Sequence, residues 1–188
     1  MPKKYYGIIM IAILILLGTS LYLEEKPLNK SVLRLHVIAN SDSLADQALK
    51  IQVKDAVVEM MKKEFAGMDN MEQARQAALE DIPEIKRTAE AVVQANGYNY
   101  PVQVSLGEYQ FPTKSYGNLV LPQGEYQAVR VTIGGGEGKN WWCVLFPPLC
   151  MVSSSEQGLS LHSPEEAKVS FKCLELIPKG AKFRTSNH

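Results

Sequence analysis

The sequence lacks the features that identify most nucleic-acid-binding and metal-binding proteins. Its 20 basic and 20 acidic residues balance to a formal net charge of zero, and neither sign forms a long run. A protein that follows a phosphate backbone needs clustered lysine and arginine, so no nucleic acid is expected as a partner. The chain has three histidines and three cysteines, and none of the cysteines has the Cys-x-x-Cys spacing of zinc sites. No metal or other cofactor is therefore expected.

Ordinary catalytic motifs are also missing. The glycines at 134–138 do not form a phosphate loop, because isoleucine precedes them where the first glycine is required and a strand is predicted after them. Cys143 with His36 could act as nucleophile and base, but a mid-strand cysteine beside two tryptophans is typical of a buried, inert thiol. Ser115 could be a nucleophile, but the side chain of its neighbour Lys114 diverges from it. A cell-envelope hydrolase using Cys143 or Ser115 is therefore the alternative hypothesis.

The N-terminus carries a long apolar run. Lys3 and Lys4 precede an uncharged stretch at 5–23. A basic start followed by an apolar region is typical of a secretory signal, and about 19 residues also approach the roughly 20 that span a bilayer as a helix. Cleavage after Ser20 would release a secreted domain, whereas an uncleaved segment would be a membrane anchor with its lysines in the cytoplasm. A buried core helix is less favoured, because the stretch is apolar all round.

The rest of the chain predicts one α+β signalling domain at 31–178, between a linker at 24–30 and a tail at 179–188. Roughly 160 residues are enough to bury a core without metal or disulfide staples. Periodicity predicts strands at 31–39, 101–107, 118–122, 125–133 and 141–146, and helices at 44–65, 69–96 and 164–177. Val169 and Phe171 make a strand an alternative for the last of these segments. Pro83 is expected to break the second helical region.

The strand at Trp141 to Phe146 is expected to organise the sheet. It is aromatic, β-branched and almost wholly apolar, so both of its faces should be covered. The glycines at 134–138 predict a hairpin that joins it to the preceding strand. We therefore expect a mostly antiparallel sheet with helices packed on one face, preceded by the apolar export or anchor helix.

The cysteines leave the disulfide pattern open. Cys143 and Cys150 could pair if the domain is exported, because Pro147 and Pro148 could fold the chain back between them. An extended chain would instead hold the two beyond the roughly 7 Å that a disulfide allows between Cα atoms. Cys173 would then be a small buried residue.

Three segments are candidates for contact with a partner protein. They are the loop at 111–117, the turn at 40–43 and the exit from the tryptophan-rich strand at 141–150. The loop is expected to expose aromatic rings with a lysine, and such groups are good interface anchors. The predicted contact residues are Asn40, Ser41, Asp42, Phe111, Lys114, Tyr116, Trp141, Trp142, Pro147 and Pro148. For the turn at 40–43, capping of the following helix alone explains the polar residues.

Several stretches of the sequence resemble the stage II sporulation protein R family. They are Arg34–Ser43 followed by Asp46, Gln47, Leu49 and Lys50, then Asn99–Val102, Phe111–Gly117, Gly124–Arg130 and Gly136–Cys150. Together they cover about residues 34–150. The last stretch is long and specific, and it is not a generic motif.

The resemblance implies a signalling protein of endospore-forming bacteria. Members of this family are made in the forespore and exported into the space between forespore and mother cell. There they trigger a membrane aspartic protease, which removes the pro-sequence of the mother-cell sigma factor E. The resemblance implies no catalytic residues in the chain itself. The apolar N-terminus agrees with export, and a passive structural domain anchored outside the cell is a third interpretation.

Overall fold

The computed structural model of the chain describes residues 10–13, 28–116 and 119–148. Most of the predicted signal or anchor segment, Cys150, the predicted last helix and the tail lie outside these residues. Residues 10–13 are helical. Within the described ranges, no helix has both the length and the apolar character needed to cross a bilayer.

Three long helices follow one another after the first strand. Helix α1 spans Leu44–Glu64, α2 spans Met71–Glu80 and α3 spans Ile82–Ala95. Ser43 caps α1, because its hydroxyl accepts a hydrogen bond from the amide of Asp46 at 3.1 Å. Pro83 lies in the first turn of α3, where a backbone amide has no helical partner to lose. The predicted break before this proline is therefore confirmed.

Six strands in the described part of the chain form two sheets. They are β1 (Leu33–Ile38), β2 (Val102–Phe111), β3 (Lys114–Tyr116), β4 (Leu119–Leu121), β5 (Gly124–Ile133) and β6 (Asn140–Phe146). The main sheet has the order β2-β5-β1-β6, and β3 pairs only with β4. β1 is parallel to β5, whereas β2–β5 and β1–β6 are antiparallel. The α+β class is confirmed, and the sheet is mixed, with a parallel pair at its centre.

β5 and β1 are the inner strands of the main sheet. The tryptophan-rich β6, which was expected to organise the sheet, lies beside β1 at the end of the described order. The predicted hairpin between β5 and β6 is wrong, because β1 lies between them. The glycine-rich connection at 134–139 instead passes over the end of β1, where the amide of Gly138 donates to the carbonyl of Ala39 at 3.0 Å. Glycine permits such a close passage as readily as it permits a hairpin turn.

Each face of the main sheet carries its own core. The helices cover one face, where the fully buried residues include Leu35, Val37, Val53, Val57, Ile85, Val129 and Val131. The β3–β4 hairpin covers part of the other face, with Val32, Phe111, Leu119, Leu121, Tyr126, Ala128 and Val144. The predicted placement of the helices on one face is confirmed, and β1 is buried from both sides.

Candidate functional site

The sheet surface opposite the helices collects basic and aromatic side chains. We call it the basic–aromatic face and define it by Arg34, His36, Phe111, Arg130 and Trp142. Alternation along β1 directs Arg34 and His36 to this side, and the strand register places His36 between Arg130 of β5 and Trp142 of β6. The period of two along a strand is enough to place Arg34 and His36 on one face, whereas their contact with the other three residues depends on the strand register.

Arg34 is completely buried in this face. Its Nη2 donates a hydrogen bond to the hydroxyl of Tyr116 at 2.6 Å. Its guanidinium carbon lies 4.0 Å from the ring centre of Phe111 and 4.7 Å from that of Tyr126. Its Nε and Nη1 have no hydrogen-bond partner. Burial lowers the pKa of Arg34, but arginine stays charged in proteins, so this is a buried cation held among aromatic rings.

His36 lies in the middle of the same face. Its ring stacks on Trp142 with centres 3.9 Å apart. Its Nε2 lies 2.8 Å from Oδ1 of Asn140, which can only accept, so Nε2 carries the proton. Burial lowers the pKa of His36, the charge of Arg130 lowers it further, and the hydrogen bond that Nε2 donates to Asn140 opposes both effects. The imidazole is therefore neutral near pH 7, with Nδ1 buried and unpaired.

This burial of His36 predicts that mild acid destabilises the domain. The pKa is lower in the folded state, so the unfolded chain takes up the proton first as the pH falls through 6.5, the ordinary histidine value. The stability that neutral His36 contributes is fully present above that pH. It decreases progressively as the pH falls from 6.5 to the pKa of His36 in the folded state. Urea unfolding at about pH 7.5 and about pH 5.5 should show a lower midpoint in acid. His36→Gln should remove most of this difference, and an undiminished difference would contradict the assignment.

Arg130 marks the boundary between the covered and open parts of the face. Its guanidinium carbon lies 3.7 Å from the ring centre of Tyr109, and its Nε is buried without a partner. The hydroxyl of Tyr109 is hydrogen-bonded to that of Ser105 at 2.9 Å. Ser105 is exposed, as is Asn140 beyond His36. This end of the face is therefore accessible from solvent, while the end at Arg34 is closed by the β3–β4 hairpin.

The structure brings three predicted contact residues together on this face, although not as an exposed loop. Phe111 ends β2 and is only 3% exposed, and its ring contacts both Arg34 and Trp142. Tyr116 is half-buried on β3. Residues 112–115 of the segment predicted to be an exposed loop are exposed, although Lys114 and Ser115 lie in a strand. The expected exposure of Phe111 is wrong, because β3 and β4 fold back over it.

The predicted turn at 40–43 has a different environment. Asn40 Nδ2 and Ser41 Oγ donate to one oxygen of Asp46, at 2.9 Å and 2.5 Å, and these hydrogen bonds lower the pKa of Asp46. An oxygen of Asp42 accepts from the amide of Lys139 at 2.7 Å. The polar side chains thus tie the start of α1 to the glycine-rich connection. This use agrees with the capping interpretation, and their contact with a partner stays a prediction.

The third predicted segment also lies apart. Trp141 faces the helices, with Nζ of Lys54 lying 4.9 Å from its ring centre, and so it is on the opposite side of the sheet from Trp142. Pro147 is buried after a cis peptide bond, and Pro148 is half-buried. This exit follows the β6 residue paired with Leu33, whereas the turn at 40–43 follows the other end of β1, about 20 Å away. The three segments therefore do not form one continuous surface.

The alternative catalytic residues are not assembled into a site. Cys143 packs on the helical face, whereas its candidate base His36 lies on the opposite face. Cys143 is disulfide-bonded, and its predicted partner Cys150 lies outside the described residues, so that pairing stays a prediction. Ser115 is exposed on β3. Within the described ranges, no group of three or more histidine, cysteine, aspartate or glutamate residues is placed to hold a metal ion.

A family model for Stage II sporulation protein R matches residues 29–156, which include the whole basic–aromatic face. The chain belongs to the stage II sporulation protein R family. It is 41% identical over 145 residues to Stage II sporulation protein R of Bacillus subtilis (strain 168). That alignment covers 77% of this chain and 64% of the relative, so the chain spans less than two thirds of the relative's length. No solved structure matches the chain.

Two residues of this stage II sporulation protein R family member were missed as site candidates. The sequence indicated Arg34 and Arg130 only as members of the stretches that carry the family resemblance, Arg34–Ser43 and Gly124–Arg130. The available signal was an arginine at the centre of an otherwise apolar alternating strand. A charged side chain is rarely buried without a partner, so its position in β1 could have been singled out.

Proposed function

We propose that this stage II sporulation protein R family member is an exported signal in communication from forespore to mother cell. It acts on a membrane aspartic protease, which then removes the pro-sequence of the pro-sigma factor E. Membership of the family carries this proposal, and the apolar N-terminal stretch supports export. The protein reaches the space between the two membranes either secreted or held by that stretch. Its direct partners are then the protease and, through the N-terminus, the membrane.

Activation in this proposal is a shift in the conformational equilibrium of the protease. The exported domain must bind the active form, which we take to be dimeric, better than the inactive form. A partner that moves an equilibrium from 1:99 to 99:1 must prefer the active form by roughly 10⁴-fold. Such a preference needs buried, specific contacts and no chemistry in the activator. The basic–aromatic face, which is open to solvent at the end near Ser105 and Asn140, has the chemistry to provide them.

The rival hypothesis of an envelope hydrolase is tested by Cys143→Ala and Ser115→Ala. Removing a native disulfide costs about 2–5 kcal/mol in small secreted domains, so Cys143→Ala should lower the unfolding midpoint. Pro-sequence removal, measured at a temperature where each variant is folded, should persist in both variants. A hydrolase would lose essentially all activity with its nucleophile. If either variant kept its unfolding midpoint but lost pro-sequence removal, the result would favour the hydrolase hypothesis.

A passive structural domain is the third interpretation. It predicts that pro-sequence removal is the same with or without the folded domain, whereas a signal predicts that removal depends on it. Two strains of sporulating cells separate these interpretations: one lacks this protein, and the other lacks it but carries an added copy of the full chain. The measurement is the processing of the pro-sigma factor in each strain. Equal processing in both strains would contradict the proposal.

A further inference from the structure

Unpaired buried nitrogens are concentrated on one face of the sheet. Five buried side-chain polar atoms in the described part of the chain have no hydrogen-bond partner. Four of them are on the basic–aromatic face: Nε and Nη1 of Arg34, Nδ1 of His36 and Nε of Arg130. A buried donor left unpaired costs about 1–3 kcal/mol, and more when it is charged. Three of the four are guanidinium donors, whereas Nδ1 of the neutral His36 is an acceptor, so the three donors indicate a surface that is completed by an acceptor from elsewhere.

The three unpaired guanidinium donors suit an anion as their partner. The main-sheet strands direct no aspartate or glutamate to this face, as their sequences and registers show. The ion pairs of the described residues involve neither Arg34 nor Arg130. A buried cation without a counterion is costly, and an incoming anion would offset that cost. The aromatic surroundings strengthen the attraction between the guanidinium groups and an anion, because the effective dielectric constant there is low.

We propose that the basic–aromatic face binds a glutamate or aspartate of a protein partner, flanked in that partner by apolar residues. The planar guanidinium of Arg34 matches a carboxylate, to which it can donate two parallel hydrogen bonds. The rings of Phe111 and Trp142 suit apolar neighbours of the acidic residue. The identification of this partner with the protease rests on the proposed function, whereas the carboxylate site itself rests on the face alone.

Tyr116 occupies the carboxylate position in the free protein. Its hydroxyl accepts the hydrogen bond from Nη2 of Arg34 and donates to the carbonyl of Trp142 at 3.3 Å. It lies on β3, which pairs only with β4, so the hairpin can shift without breaking a ladder of the main sheet. A carboxylate that enters from the open end at Arg130 replaces the Tyr116 hydroxyl at Nη2 and also engages the unpaired donors of the guanidinium.

The test is calorimetric titration of the full chain in detergent micelles with two capped peptides. One carries a single glutamate between two phenylalanines, and the other has glutamine in its place. The glutamate peptide should bind roughly 10-fold more tightly, because hydrogen bonds to a charged acceptor are the stronger ones. Arg130→Gln should reduce this preference, whereas Arg87→Gln, an exposed arginine on α3, should not. Equal binding of the two peptides, or none, would overturn the proposal.

Tyr116→Phe gives a result that a purely structural role does not predict. It removes the competing hydroxyl and keeps the ring, so it should tighten binding of the glutamate peptide by several-fold. Weaker binding would contradict the role of Tyr116 as an occupant of the site. Inorganic phosphate that competes at lower concentration than the glutamate peptide would also overturn the proposal, in favour of a phosphate site. Failed protease activation with intact peptide binding would count against the proposed function and leave the site standing.

Discussion

Replacing Gly138 by alanine is expected to destabilise the domain severely. A Cβ built at this position would lie 2.6 Å from the carbonyl carbon of Ser41 and 2.9 Å from Cβ of Ala39. The loop cannot move away freely, because the amide of Gly138 donates to the carbonyl of Ala39. Overpacking against backbone costs about 1–3 kcal/mol and occasionally more, and we expect the upper end of that range here. Urea unfolding of the purified protein measures the loss.

Gly135→Ala is the matched control in the same connection. The nearest atom to its added Cβ is Cγ of Glu137, at 3.6 Å, which is ordinary van der Waals contact. Its backbone does not adopt the left-handed conformation seen at Gly134 and Gly136. The change should therefore stay within about 0.5 kcal/mol. If both alanine variants unfold at the same urea concentration, the close packing of the glycine connection against the turn after β1 is not what stabilises this end of the sheet.

Arg34→Met is expected to leave the fold intact and to abolish activation of the protease. Methionine is unbranched and fills a similar stem volume, and it removes a buried charge that has no counterion. Replacing even a buried ion pair with apolar residues is often neutral or stabilising by about 1–4 kcal/mol, and Arg34 has no counterion to lose, while the lost contacts with Phe111 and Tyr126 cost about 0.5–2 kcal/mol. The net change in unfolding free energy should be small.

Function should respond very differently to this substitution. Truncating one partner of a buried charge pair at an interface costs about 2–5 kcal/mol, which corresponds to a loss in affinity of roughly 30- to 5,000-fold. Arg87→Met removes an exposed arginine from α3 and should change neither stability nor activation. Unfolding midpoints and pro-sequence removal should be measured on the same preparations. An Arg34→Met protein that is folded and fully active would remove Arg34 from the binding site.

The helices and the faces of the strands were predictable because their signals are local. The apolar spacing in 44–65 predicted the extent of α1, and the proline after Ile82 predicted the break between α2 and α3. In β5, alternation places Val129 and Val131 on one face and Tyr126 on the other, and the two cores agree with this placement. Periodicity indicates which side of a helix or strand is buried, so the helix positions and the strand faces can be predicted from the local sequence alone.

The strand order was not predictable from the same signals. Alternation does not name the neighbour of a strand, so the glycines at 134–138 predicted a hairpin where β1 is inserted. The site was missed for a related reason. Arg34 is buried because the β3–β4 hairpin, more than 80 residues later in the chain, folds over it. Neither the burial of Phe111 nor the loss of solvent at Arg34 can be derived from the local sequence.

The central claim is that this protein activates the protease through its basic–aromatic face. The most direct measurement adds the purified exported part, residues 24–188 and shown to be folded, to the outer side of vesicles that carry the protease and enclose the pro-sigma factor. We predict that pro-sequence removal requires the added protein and is lost with Arg34→Met but not with Arg87→Met. Removal without added protein, no removal with the folded wild-type protein, or equal removal with Arg34→Met would contradict the claim.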